Sequence, residues 1–547
     1  MNIKKFTFFF LIISLITTFS FFWSLILPIY EWPTDYGHHF YIAMSNTDSR
    51  LYEDYFTHKG PVLVFIIDFF QFFFGSTWQS SIWILFALTL FFLVSIAVFS
   101  YNYSKNYLIT ILSLLYVISY FRYQKSDIFV DLINIPFLIA GFIFFIRGIN
   151  EDGVIKNFYF SSFFLFVCIL TRIDNSIYLI GLLSIFLFYS IKEKKYYLLD
   201  KFFILKNFLI FFFTFLFFSY FYKFNLISFI DKNILFNLAY AENDYVKFKN
   251  LGSLYALIPN KLFAYILFLK ALFYFKNISQ LGKYFSICLI IISFFQIIFF
   301  IQKYEFLIFF VSIFVLEILI IYFLIFYKKK YNNHELFVIL VLNFLSFFIF
   351  LYSGSLKLNH IFFTLSGSLM LTLFFLKQLS ISNHKFTNLF LILFLLLFVY
   401  QSEKIFRTIN QIYEKDKTIV FKNGIDNLFY DNTLIKNNSL IQLINKKDLP
   451  IVCGRGWLHI FSETTSKGLM FDWWIYDVRK NNISIKNEIF LSKLLKKDFG
   501  EYFLINKECV DSKIFNKSNE IEKILKNSLK IKEYSMFKVS YQYRKLK

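Results

Sequence analysis

Apolar residues run along this chain in long unbroken blocks, not at the two-residue alternation of a half-buried strand. The first block, FTFFFLIISLITTFSFFWSLILPIY, fills residues 6–30. Windows long enough to cross roughly 30 Å of hydrocarbon recur near 6–29, 80–100, 107–121, 128–146, 158–171, 175–191 and 203–222, then near 258–275, 284–301, 306–327, 336–352, 361–377 and 386–402. The pattern predicts an α-helical polytopic membrane protein with about 13 transmembrane helices. A further apolar stretch, 62–74, reads as loop dipping back to the surface before the second span. From about Glu403 the pattern changes and no later run is long enough to span. Within this tail LPIVCGRG reads as a buried strand ending in a glycine turn. NEIFLSKLLKK and NEIEKILKNSL have helical spacing, EYFLIN reads as a strand, and EYSMFKVSYQY reads as one last alternating strand. The expected organisation is a transmembrane domain over 1–402, carrying an external loop at 30–61, and a small α/β domain over 403–547.

Composition agrees with a membrane protein: 58% of the 547 residues are hydrophobic and mean hydropathy is +0.57. The 84 Phe, with abundant Ile, Lys and Asn, look like a bias of overall composition, so aromatic stripes carry little information. Much of the net charge of +21 sits in short loops, without a basic soluble domain interleaved with base-stacking aromatics, and a nucleic-acid partner is not expected. The Lys-rich turns 192–201, 328–330 and 377–385 all fall on one side if the spans alternate. The acid- and His-bearing loops 30–61, 122–127, 223–257 and 353–360 fall on the other. The positive-inside rule then puts the N-terminus in the cytoplasm and the tail outside. Membrane lipids are the surrounding partner. Cys168 and Cys288 sit in apolar runs, while Cys453 and Cys509 share the tail, where an external location would allow a disulfide.

Candidate chemistry gathers in WPTDYGHHFYIAMSNTDSRLYEDYFTHKGP, residues 32–61, which holds Asp35, Asp54, His58 and Lys59. Further polar groups on the same expected side are Asp127, Asp131, Arg172 in TRIDNS, Lys357 and His360. Asp131 and Asn134 fall one turn inside a helix, where a charge must face a cavity because exposure to hydrocarbon costs several kcal/mol. Such a set suits group transfer from a phosphate-linked donor: a carboxylate takes the acceptor proton and a cation offsets charge on the departing phosphate. Each residue also has a plainer role. Asp35 caps the helix that follows it, Asp54 pairs with Arg50, Lys59 snorkels to the interface, Arg172 pairs with Asp174, and His38 and His39 are interfacial rings. The long loop 223–257 is amphipathic and reads as an interfacial helix or lid.

An Asp just past the first membrane helix, then Y-x-D-x-x-x-H-K-G-P, resembles the first external loop of type C glycosyltransferases. These enzymes include protein O-mannosyltransferases and lipid A aminoarabinose transferases. The resemblance implies a sugar transfer from a polyprenyl-phosphate-linked donor to a cell-envelope acceptor, outside a bacterial inner membrane and with inversion. It maps the catalytic base to Asp35, a second acidic position to Asp127 and the donor-phosphate contact to Lys59, and SGSLKLNHIFFTLSGSLM, with Lys357 and His360, resembles the family's late external loop. By their charge and side of the membrane, Arg172 and Lys357 are further candidates for the donor phosphate, and Asp54, His58, Asp131 and His360 for substrate contact. His58 stands where some members carry a metal-associated acid, so a divalent ion is a candidate cofactor with His58 as its candidate ligand. Two rival functions remain: a flippase of lipid-linked saccharides, which should show paired halves and mid-membrane charges, and an O-antigen-type polymerase.

Overall fold

The computed structural model describes residues 3–31, 35–44, 50–52, 57, 59–121, 128–150, 155–192, 201–235, 334–352, 364–381, 439–447, 449–454, 458, 468–470, 491–507, 510, 519–536 and 539–547. The expected spans near 258–275, 284–301, 306–327 and 386–402 lie outside these residues, as does Cys509.

The chain is mostly helical, with a small C-terminal sheet. Helix α1 covers Ile3–Glu31 and α2 covers Asp35–Met44. They are followed by α3, Pro61–Phe74, and α4, Trp78–Ser104. Next come α5, Tyr107–Phe121, α6, Ile128–Asn150, and α7, Ile155–Thr171. A 3-10 turn, Ile173–Asn175, leads into α8, Ser176–Lys192, and then α9, Lys201–Phe221. A short α10, Leu226–Phe229, runs on into a π-turn, Ile230–Leu235. Later in the chain lie α11, His334–Tyr352, and α12, Leu365–Ile381. Among the described residues, the apolar blocks thus become helices within a few residues of where the sequence puts them. The stretch 62–74, expected to be loop, is instead the helix α3. Its 14 residues rise about 21 Å at 1.5 Å each, short of a span, and Gly75 at φ +81° breaks it from α4.

Three helices among the described residues are long and apolar enough to cross a membrane: Ser80–Ser104, Val130–Asn150 and Ile173–Ile191. A fourth candidate is Leu205–Phe221 with Leu226–Leu235, bent by 99° at the break. The outer face of α9 leaves Phe212, Phe213, Phe217 and Tyr220 exposed, a surface that water would punish and acyl chains would not.

At the centre, α4 touches α1, α3, α5, α6 and α12. Its start is capped by Thr77, whose hydroxyl accepts from the Ser80 amide at 3.3 Å. At its far end the Tyr103 hydroxyl donates to the Glu335 carboxylate, and Lys377 stands 4.5 Å from the centre of the same ring. The start of α11 and the later part of α12 therefore meet the end of α4, as alternating spans require. The opposite end of the bundle gathers the start of α6, the end of α7, the start of α8 and, from loop one, Leu51 to Tyr52, Thr57, Lys59 and Gly60.

The tail forms a five-stranded mixed sheet in the order β2-β1-β3-β5-β4. Its strands are β1, Ile451–Gly454, β2, Gly468–Met470, β3, Tyr502–Asn506, β4, Ser528–Met536, and β5, Val539–Leu546. β1 pairs in parallel with β2 and β3, and the last three strands are antiparallel. The strands expected in LPIVCGRG and EYFLIN are there, and so is the helix of NEIEKILKNSL, at Asn519–Lys526. The last expected strand is instead a hairpin, with Met536 opposite Val539. In sequence, Phe537 and Lys538 offer none of the Gly, Asn or Asp that usually announces a hairpin.

Candidate active site

Loop one is fixed to the bundle by its backbone. The Leu51 amide donates to the Tyr222 carbonyl at 3.1 Å, and the Gly60 amide donates to the Thr171 carbonyl at 3.0 Å. Thr57 joins two parts of the loop: its hydroxyl lies 3.0 Å from His39 Nε2 and accepts from the Lys59 amide at 3.1 Å. His39 is fully buried and so holds the loop together instead of lying at an interface. Tyr52 adopts a left-handed backbone, φ +69°, and its buried hydroxyl donates to the Lys59 carbonyl at 2.9 Å. Burial pushes the Tyr52 phenol well above its ordinary range, so it remains a donor.

The run Lys59-Gly60-Pro61 has a separate physical reason for each residue. Pro61 opens α3 at a position where its missing amide costs nothing. Gly60 lies so close to α7 that a Cβ would fall 1.7 Å from the Leu170 carbonyl oxygen. That approach places Lys59 one residue from Gly60, which bonds Thr171, the residue just before Arg172. Lys59 is 9% exposed, and among the described residues its ammonium has no partner.

Arg172, also 9% exposed, lies between two carboxylates. Its Nε donates to Asp174 Oδ2 at 2.9 Å, and a terminal nitrogen stands 3.8 Å from Asp131 Oδ1. Asp131 and Asn134 are 2% and 3% exposed, and both face a cleft, as the cost of a charge in hydrocarbon requires. Pro136 lies inside α6 just after them and removes one i→i−4 bond of that helix. The Asn134 and Asn175 amides bond each other in both directions, at 2.9 and 3.3 Å, and Asn175 also donates to the Cys168 carbonyl at 2.9 Å. This pairing joins α6 to the turn before α8. Tyr178, Ile349 and Ser366 complete the wall, with the Tyr178 hydroxyl 3.1 Å from Ser366 Oγ. The cleft is narrow, with room for about one water molecule.

Of the residues singled out from sequence, the fold therefore brings together Asp131, Arg172 and the backbone of Lys59. Asp35 opens α2, where a helix cap was the plainer expectation; its side chain is outside the described residues. Asp54, His58, Asp127, Lys357 and His360 lie wholly outside them. Asn175, Tyr178 and Ser366 were missed. The only trace of them in sequence is polarity beside long apolar runs, which does not separate a cavity wall from a helix end. Arg172 and its two carboxylates sum to one negative charge. Arg172 can act on an anion only by sharing its guanidinium with Asp131, whose contact at 3.8 Å is the looser of the two. Among the described residues no three His, Cys, Asp or Glu side chains gather as metal ligands; His58, the candidate ligand, lies outside them. Comparison with protein-family models, with curated proteins and with solved structures finds no match to this chain.

Proposed function

We propose that this chain is a membrane glycosyltransferase of the type C kind, moving one sugar from a polyprenyl-phosphate donor to an acceptor at the external face of a bacterial inner membrane. The observation that carries the proposal is Lys59: a buried lysine whose ammonium has no counter-ion among the described residues, with its neighbour Gly60 held against Thr171 at the end of α7, one residue before Arg172. A lysine desolvated in this way gains most from an anion it can bond, and a sugar phosphate supplies one. The bundle of about 13 spans supplies apolar walls for the isoprenoid tail, and the tail domain is external.

In this scheme Asp35 takes the proton of the acceptor hydroxyl, and the freed oxygen attacks the anomeric carbon from the face opposite the phosphate. The carbon–oxygen bond to phosphate breaks, its electrons stay on the phosphate, and the Lys59 ammonium offsets the added charge. Asp127 supports the acid–base work, and Asp131, Asp54, His58 and His360 contact the sugars. Arg172 and Lys357 assist Lys59. Where a divalent ion is used, His58 is its candidate ligand.

The test is transfer from a radiolabelled polyprenyl-phosphate sugar by membranes containing the protein. Asp35→Asn and Lys59→Ala should each abolish transfer at unchanged expression, a loss of at least about 100-fold for a base. Near-normal turnover in Asp35→Asn would remove that residue from the mechanism. Donor that crosses the bilayer untransferred, with no dependence on Asp35, would identify a flippase instead.

A further inference from the structure

We infer that Tyr52, clasped by the bent segment after α9, is the positioning residue that sets where Lys59 stands. Lys59 has no regular structure of its own to fix it: it lies between a left-handed residue and the start of α3. Its own amide donates to the Thr57 hydroxyl at 3.1 Å, and two further bonds hold the main chain on either side of its carbonyl. On one side the Gly60 amide bonds Thr171 at 3.0 Å. On the other the Tyr52 hydroxyl holds the Lys59 carbonyl at 2.9 Å. Thr171 belongs to a regular helix, so that anchor needs no further support. Tyr52 does need support, because φ +69° is unfavourable for a bulky residue and persists only where the surroundings impose it.

The segment 222–235 imposes it. Leu51, the preceding residue, donates to the Tyr222 carbonyl. The Tyr52 ring meets Phe224 edge-on at 5.2 Å and Phe229 at 5.9 Å between centroids. The Asn233 side chain stands beside its hydroxyl. The Tyr222 hydroxyl reaches forward to Asp68 of α3, 3.5 Å away, so one strap residue touches loop one before Lys59 and the helix after it. The 99° bend at the end of α9 is what turns this segment back over Tyr52.

Placing the Lys59 main chain through a phenol from a neighbouring residue makes the bond removable without removing the lysine. In Tyr52→Phe the ring packing survives and only the hydroxyl is lost. An amine-reactive probe should then acylate Lys59 about fivefold faster, the weight of one hydrogen bond, while the exposed Lys545 reacts at its usual rate. Unchanged Lys59 reactivity overturns the proposal whatever the kinetics show. A second variant, Phe229→Leu, keeps the hydroxyl and loosens the ring; it should raise Lys59 reactivity by a smaller factor.

The kinetic arm rests on the glycosyltransferase function proposed above. There Tyr52→Phe should lower kcat/KM for the lipid-phosphate donor about fivefold, because Lys59 both binds the donor phosphate and offsets the charge it gains on leaving. An unchanged kcat/KM would overturn the positioning role. Faster Lys59 labelling in a protein that shows no transfer even as wild type would uphold the positioning and overturn the glycosyltransferase function.

Discussion

Gly60 admits no side chain, since the first carbon of one would fall 1.7 Å from a backbone oxygen of α7 that cannot rotate away. Gly60→Ala should therefore push loop one off Thr171, costing about 1–3 kcal/mol as overpacking does, and transfer should fall with it. Thermal unfolding in detergent and turnover, measured on the same preparation, check this. Arg172 makes the opposite point, because there the cost comes from removal. Arg172→Met would leave Asp131 buried at 2% exposure without its cation, a loss of about 3–5 kcal/mol. Asp174→Asn, which keeps the Asp131 contact, should cost about 1 kcal/mol. An Arg172→Met protein of unchanged melting temperature would count against the buried pair. At this scale the sequence was legible where charge and burial conflict: Asp131 and Asn134 in an apolar helix had to face a cavity, and they do. It was silent on Tyr178 and Ser366, because a hydroxyl in an apolar run is cheap enough to sit anywhere.

The helices were legible because each is written as an apolar block, and α5 begins and ends where the block does. α3 was misread because its short apolar run ends at a break of three residues, 75–77, before the longer run of α4. The final hairpin was missed for want of a turn residue. Elements of the tail also carry a charge-dependent prediction. A hydrogen bond from Lys545, with Lys497 beside it, holds the Glu501 carboxyl below its ordinary range. Lys530 and Lys507 do the same for Glu533. A depressed folded value means that stability is present above the unfolded value of about 4.3 and is lost as pH falls through the folded one. Amide protection over β4 and β5 should accordingly hold from pH 7 to about 5 and weaken below about 4. Equal protection at pH 7 and pH 3 would show that these ion pairs do not contribute.

Across the whole molecule, the two ends of the bundle carry different chemistry. Tyr103, Glu335 and Lys377 meet at one, while Lys59, Asp131 and Arg172 lie at the other. Alternating spans predicted that separation before any contact was known. The proposed orientation makes the first end cytoplasmic. A cysteine placed at 195 should then resist a membrane-impermeant maleimide in intact cells, and one placed at 238 should react. The reverse result would invert the topology and remove the external site with it.

Glycine is scarce in this chain, 16 among 547 residues against 84 Phe. A composition that drifts toward bulky side chains can take over any position where bulk is harmless, so the glycines it leaves record where bulk is not. A Cβ would come within 3.4 Å of a neighbour at Gly60, Gly141, Gly148, Gly181 and Gly367. The most crowded helical ones, Gly181 against Leu345 and Gly367 against Ser346 and the Asn343 backbone, lie where α8 and α12 each meet α11. In a sequence so monotonous, the smallest letter doubles as a map of helix contacts, and an engineer thickening this bundle should begin by leaving those positions alone.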